Sequence, residues 1–138
     1  MSIVTVFDTN VWVSYFLNRQ LEELVALKYD RDICFVRSAD TLRELQLVLA
    51  RPKFVKYFDL PIADYIEFYC NLTEDKYIKP IFNGCRDAND NFIFDLAIQS
   101  KAQYLVSGDK DILEIKSSLL PTLKILTLAT FKSIVVAH

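Results

Sequence analysis

Four short apolar runs, each too brief for a helix, constrain this chain more than any other feature. Ile3-Val4-Thr5-Val6-Phe7 is nearly unbroken and largely β-branched, and it stops at Asp8. Ile33-Cys34-Phe35-Val36 and Tyr104-Leu105-Val106-Ser107 repeat the pattern, and Lys124-Ile125-Leu126-Thr127 repeats it more weakly. Strands without alternating polar positions are buried on both faces, the condition met in a parallel sheet covered by helices. Helical patterns fill the gaps: a short piece after Asn10, a segment from Leu21 to Tyr29, and stretches over 39–51, 61–74, 90–101 and 129–136. Strands alternating with helices predict an α/β sandwich with a mainly parallel central sheet flanked by helices. No repeat or linker divides residues 1–138, so one domain is expected, with Pro52, Pro61, Pro80 and Pro121 falling where elements change.

Composition removes several chemistries. Gly84 and Gly108 are the only glycines, too few for a dinucleotide fingerprint or a phosphate-cradling P-loop. The lone histidine, His138, ends the chain, which leaves no anchored imidazole for a Ser-His couple or a histidine-rich zinc site. Cys34, Cys70 and Cys85 are odd in number and widely spaced, so they are expected to be reduced and mostly buried. Neither a secretory leader nor a membrane-spanning run is evident, and a soluble, cytoplasmic protein is expected. With 16 Lys and Arg against 18 Asp and Glu, the formal charge is −2, and any anionic ligand must be held by a local patch. The chemistry falls to carboxylates.

Asp8 follows the first strand and Asp109 follows the third through Ser107-Gly108, placing both at carboxyl ends of strands, the edge where open α/β sheets bind ligands. Neighbouring strands would let the two carboxylates converge on one ion. A helix-capping role accounts for either one alone equally well. On the 39–51 helix, Leu42, Leu45, Leu47, Val48 and Leu49 sweep one arc at 100° per residue, and Glu44 projects inside it, although a Glu at the rim paired with Arg43 or Arg51 fits the same spacing. On the helix after Asp90, the arc Phe92, Ile93, Phe94, Leu96, Ala97 and Ile98 centres on Asp90. Asn91, Asp95 and Gln99 take the polar side, so that Asp95 is expected in solvent. Asp87 is the better capping candidate there. Four acids aimed at one edge would repel unless a divalent ion neutralised them, and an all-oxygen set suits Mg²⁺ or Mn²⁺ rather than zinc. Such ions favour phosphodiester hydrolysis.

The segments Val6-Phe7-Asp8-Thr9-Asn10-Val11-Trp12-Val13-Ser14, Ser38 to Glu44, Arg86-Asp87-Ala88-Asn89-Asp90-Asn91 and Leu105-Val106-Ser107-Gly108-Asp109-Lys110-Asp111, in that order, resemble the PIN-domain nucleases. The similarity is to their toxin-like, VapC-like branch in prokaryotic toxin-antitoxin systems. It runs over nearly the whole chain. The resemblance implies a Rossmann-like three-layer sandwich of PIN type and a metal-dependent endoribonuclease whose acidic quartet is Asp8, Glu44, Asp90 and Asp109. It further implies Asp8, Asp90, Asp109 and Asp111 as metal ligands, Asp109 or Asp111 through water, with Glu44 completing the site or accepting a proton. Asn10, Asn91 and Ser107 are polar neighbours suited to hold a water or a carboxylate. Ser107 stands where the family commonly has Thr and keeps the hydroxyl. The expected partners are RNA, a small antitoxin placing a basic side chain against the carboxylates, and a second copy in a homodimer, with no membrane. The alternative is a catalytically idle PIN module that binds RNA or a protein.

Basic residues concentrate around the Glu44 helix as Arg37, Arg43, Arg51, Lys53 and Lys56, with Arg86 and Lys110 beside the acids. Of these, Arg43, Arg51, Lys53, Arg86 and Lys110 are candidate phosphate contacts, and an ordinary solvated helix face reads the same way. Phe54, Tyr57, Phe58, Tyr65, Phe68 and Tyr69 fall near helical spacing, which favours a helix-pair core or a dimer face over base stacking. Trp12 is read as a packing residue.

Overall fold

The computed structural model describes residues 2–85, 87–115, 120 and 122–136. Its strands are β1 (Ile3–Phe7), β2 (Ile33–Arg37), β3 (Thr73–Asp75), β4 (Tyr104–Val106) and β5 (Lys124–Leu126). They form one sheet in the order β3-β2-β1-β4-β5, and every pairing is parallel. The helices are α1 (Thr9–Leu17), α2 (Leu21–Asp30), α3 (Ala39–Leu49), α4 (Pro52–Val55), α5 (Ile62–Leu72), α6 (Asn91–Gln99), α7 (Lys110–Leu113) and α8 (Leu128–Val136).

Burial on both faces follows from the pleat. Phe7, Phe35 and Val106 join one core with Trp12, Tyr65, Tyr69 and Phe131, while Val6, Val36 and Leu105 join another with Ile93, Phe94 and Leu96. Successive strand residues thus point to opposite layers. On the first face Phe7 meets Phe35 at 4.8 Å and Phe131 at 5.5 Å between ring centroids. Trp12 sits in that core and donates its indole N–H to the Phe7 carbonyl at 3.2 Å, a packing role as expected.

The expected 61–74 helix is shorter than its pattern, because α5 ends at Leu72 and the chain turns directly into β3. That strand pairs with β2 through Phe35↔Thr73 and Arg37↔Asp75. Thr73-Glu74-Asp75 carries no apolar run, and as an edge strand it buries only Thr73. Arg37 fixes the corner. Its guanidinium donates to the carbonyls of Cys70 at 2.9 Å and Thr73 at 2.6 Å and to the Thr73 hydroxyl at 2.9 Å. Arg37 is therefore committed inside the fold and is not part of a phosphate-binding rim.

The aromatic middle is mostly core. Tyr65 and Tyr69 are buried, the Tyr65 ring lies 5.0 Å from Phe16 and from Phe58, and Tyr69 lies 5.0 Å from Trp12. Only Tyr57 and Val55 of that stretch are well exposed among its large apolar residues before Leu60. The cysteines carry no disulfide, and each is half-buried rather than buried. Among the described residues, no helix is long and apolar enough to cross a membrane. Pro121 and His138 lie outside the described residues.

Candidate active site

β1 and β4 are neighbours, in the register Phe7↔Val106, and the strand order reverses between them. A crevice opens at such a reversal because the connections leave in opposite directions. Asp8 and Asp109 stand at its mouth.

Asp8 ends β1 with its amide donating to the Val106 carbonyl at 2.9 Å. Its Oδ1 accepts from the Thr9 amide at 2.8 Å and caps α1. Oδ2 accepts from the Ser107 hydroxyl at 2.8 Å, and the same Ser107 Oγ accepts from the Asp109 amide at 3.0 Å. One buried hydroxyl therefore joins the ends of two strands. Asp8 is 8% exposed. Burial pushes its pKa above the usual carboxylate range; the Ser107 and Thr9 hydrogen bonds pull it back, and the charges of Glu44 and Asp109 push it up again.

Asp109 uses Oδ1 to accept from the Asp111 amide at 2.9 Å, capping α7. The capping role is realised for Asp8 and Asp109 alike, with one oxygen each, and the fields of their charges still overlap. Asp90 differs. It stands at the start of α6 without a capping hydrogen bond, while Asp87 caps the preceding single turn of 3-10 helix by accepting from the Asn89 amide at 3.0 Å. Burial raises the Asp90 acid first, followed by the charges of Asp87, Asp109, Asp8 and Asp111.

Glu44 is delivered by α3. Ser38 and Thr41 close a capping box at the start of that helix, the Thr41 amide donating to Ser38 Oγ at 3.2 Å and the Ser38 amide to Thr41 Oγ1 at 2.8 Å. Tyr69 of α5 donates its hydroxyl to Thr41 at 3.2 Å and locks the turn in place. Glu44 lies at the rim of the buried face, not inside it. Leu47, expected in the apolar arc, is 65% exposed and narrows that face, because the side of α3 carrying it looks into a cleft rather than the core.

The cleft has a volume of about 900 Å³ and is bounded by Asn10, Glu44 and Asn91 on its acidic side and by the 78–83 segment opposite. Asp95 builds that segment. It is 4% exposed, not solvated. Its carboxylate accepts from the Ile81 amide at 3.2 Å and the Phe82 amide at 2.7 Å, and Gln99 pairs with the amide and carbonyl of Lys79 at 3.0 and 2.6 Å. The polar side of α6 is covered by a strap of chain with no regular structure, whose free amides the polar side chains satisfy. Asn91 serves the same strap, its Oδ1 accepting from the Cys85 amide at 3.0 Å.

Arg43 and Arg51 line the cleft, Arg43 also pairing with Asp40 at 3.1 Å on an exposed helix turn. Lys53 is exposed with its ammonium 4.9 Å from the Phe54 ring centre, and Lys110 is exposed on α7 beside Asp109. Arg86 lies outside the described residues.

The carboxylates of Asp8, Glu44, Asp90, Asp109 and Asp111 thus come from four segments, and the others act electrostatically on Asp8 and Asp90. Among the described residues, no three carboxyl, thiol or imidazole groups are disposed to coordinate a single ion. The donor set nevertheless fits a hard divalent cation: every candidate donor is oxygen, and neighbouring carboxylates push the pKa of Asp8 and of Asp90 upward. Sequence reasoning missed the cleft's far wall, the segment that carries Ile81 and Asn83. Its one signal was a run from Lys76 to Asn89 with neither strand nor helix pattern.

A parallel α/β sheet with acids from four segments gathered at its strand-order reversal, next to a cleft bearing guanidinium groups, has the layout of a nuclease-type hydrolase. The chain belongs to the PIN domain family, whose sequence profile matches residues 4–111. It is 28% identical over 120 residues to the uncharacterized protein MJ1680 of Methanocaldococcus jannaschii, covering 84% of this chain and 77% of that protein. PIN domains are nucleases as a family and generally employ divalent metals, which gives this chain a nucleic-acid substrate class.

Proposed function

We propose that this protein is a Mg²⁺- or Mn²⁺-dependent endoribonuclease that hydrolyses phosphodiester bonds at the carboxyl edge of its sheet. The observation that carries the reading is that Asp8 and Asp109 stand at the ends of neighbouring strands, bridged by the buried Ser107 hydroxyl, while the other acids of the set help to hold the Asp8 and Asp90 carboxyls above the usual pKa range. Desolvated anions that repel are costly to fold together, and a divalent cation removes the cost. Asp8 and Asp90 would hold the ion, with Asp109 or Asp111 reaching it through water. Bound there, the ion activates water and stabilises charge on the leaving oxygen. Glu44, at the rim of the cleft, completes the site or takes the proton of the attacking water. Ser107 keeps Asp8 oriented and charged, and Arg43, Arg51, Lys53 and Lys110 attract the substrate's phosphates. Arg86 joins that group by its place in the sequence.

The toxin-like resemblance supports a cytoplasmic toxin restrained by a small antitoxin whose basic side chain faces the carboxylates. It also supports a homodimer, although burial of most of the aromatic middle removes the surface expected to make it. The second reading is a catalytically idle module, favoured by the fact that among the described residues no three carboxyl, thiol or imidazole groups are disposed to hold one ion. Cleavage of single-stranded RNA separates the two. The enzyme cuts with Mg²⁺ or Mn²⁺, stops with a chelator, and is inactivated by Asp8→Asn while the fold remains; equal cleavage in the chelated or substituted protein removes the proposal.

A further inference from the structure

The cleft beside the acids combines groups that the hydrolytic chemistry does not require. Leu47, 65% exposed, and Ile81, 71% exposed, are large aliphatic side chains left open to solvent on its two walls. Phe92, half-buried at the start of α6, turns part of an aromatic ring into the same space. The exposed carboxamides of Asn83 and Asn89 border it, and each offers a donor and an acceptor without a net charge. On the α3 side stand Arg43 and Arg51. Of the cleft's carboxylates, Asp40, Glu44 and Asp95, the last is engaged by the amides of Ile81 and Phe82 and Asp40 by Arg43, while Glu44 stands on the side next to the other acids.

Aliphatic side chains, one aromatic ring, neutral amides and guanidinium groups in one cleft match an unpaired nucleotide: the apolar groups cover the base, the amides meet its edge, and the guanidinium groups meet the flanking phosphates. A base within a duplex is stacked on both sides and cannot enter. The strap that carries Ile81 is not loose, since the buried Asp95 carboxylate and the Gln99 side chain hold it through Lys79, Ile81 and Phe82. The exposed Ile81 side chain is thereby presented from a fixed backbone. We infer that the cleft between α3 and the 78–83 strap is a nucleobase slot that seats one unpaired base of single-stranded RNA beside the scissile linkage. The inference rests on the nuclease reading and specifies the substrate class of that site.

The test is fluorescence anisotropy with a labelled single-stranded RNA hexamer in the presence of chelator, so that binding is read apart from cleavage. Wild type should bind, and the Leu47→Ala/Ile81→Ala double variant, changed only at exposed positions, should bind about tenfold more weakly with an unaltered melting curve. Phe92→Leu should weaken binding in the same direction. An abasic site scanned along the hexamer should cost wild type a similar factor at one position and cost the double variant little more. Duplex RNA should not compete. Wild-type affinity in the double variant, indifference to every abasic position, equal competition by duplex, or no RNA binding at all would each overturn the slot. If instead the slot behaves as described but no cleavage follows addition of Mn²⁺, the nuclease reading fails and the slot stands.

Discussion

Ser107→Ala is the sharpest perturbation the site offers. The hydroxyl is fully buried, donates to the Asp8 carboxylate at 2.8 Å and accepts from the Asp109 amide at 3.0 Å. A hydrogen bond to a charged acceptor contributes about 1.5–3 kcal/mol, and leaving the Asp109 amide to a neighbouring water costs up to about 1 kcal/mol more. The variant should therefore lose about 3 kcal/mol at pH 7, a fall in melting temperature of roughly 10 °C for a chain of this size. The loss must also depend on pH. Burial holds the Asp8 pKa above its unfolded value, so its ionisation in the fold costs stability; the cost is absent below the unfolded value, grows from there to the folded value and is constant above it. Ser107 opposes that rise. Removing it lifts the folded value further, so the gap between wild type and variant widens as pH rises from the wild-type folded value to the variant's and is smaller, about 1–2 kcal/mol, in acid. Urea denaturation at a series of pH values reads this directly, and in an Asp8→Asn background the widening should vanish. A pH-independent difference in the wild-type background, or one under about 0.5 kcal/mol, would refute the reasoning.

Arg37→Ala should destabilise the fold by about 3 kcal/mol in denaturant titration, because the carbonyls of Cys70 and Thr73 lose their shared donor; RNA affinity per folded molecule should not change. Lys101, at φ 56°, ends α6 with the Ala102 amide donating to the Ala97 carbonyl at 2.9 Å; Lys101→Gly should raise stability by about 0.5–1 kcal/mol, read by thermal melting. Asp95→Asn leaves a single acceptor oxygen for the amides of Ile81 and Phe82, and hydrogen exchange at both should quicken roughly tenfold while β1 and β4 keep their protection.

Much of this architecture was legible because both faces of a parallel sheet are dry. Ile3–Phe7 could be read as a strand with its true bounds, and Ile33–Arg37 to within one residue, since nothing but burial explains such runs. The edge strand Thr73–Asp75 was not, because two of its three side chains face water and its place is set by Arg37 and by pairing with β2. Helical periodicity placed Glu44 and Asp90 on plausible faces, yet it assumes that polar faces meet solvent and apolar faces meet core. Asp95 and Leu47 break that assumption in opposite directions: one lies under an irregular strap, the other looks into the cleft that the strap creates. Asp87 and Asp90 were separable in advance, because Asp87 stands at the position where its side chain can reach a free amide two residues on. Ser107 as the link between strand ends required knowing that β1 and β4 are neighbours.

The central claim is most directly measured by carboxyl-carbon NMR titration of Asp8 and Asp90, with and without Mg²⁺, in wild type and in Asp109→Asn. Both carboxyls should titrate above the ordinary range without the ion, fall when Mg²⁺ is added, and fall in the variant, since a cation favours the charged form and loss of a neighbouring anion does the same. Ordinary titration of both groups, unmoved by magnesium and by the loss of Asp109, would contradict it.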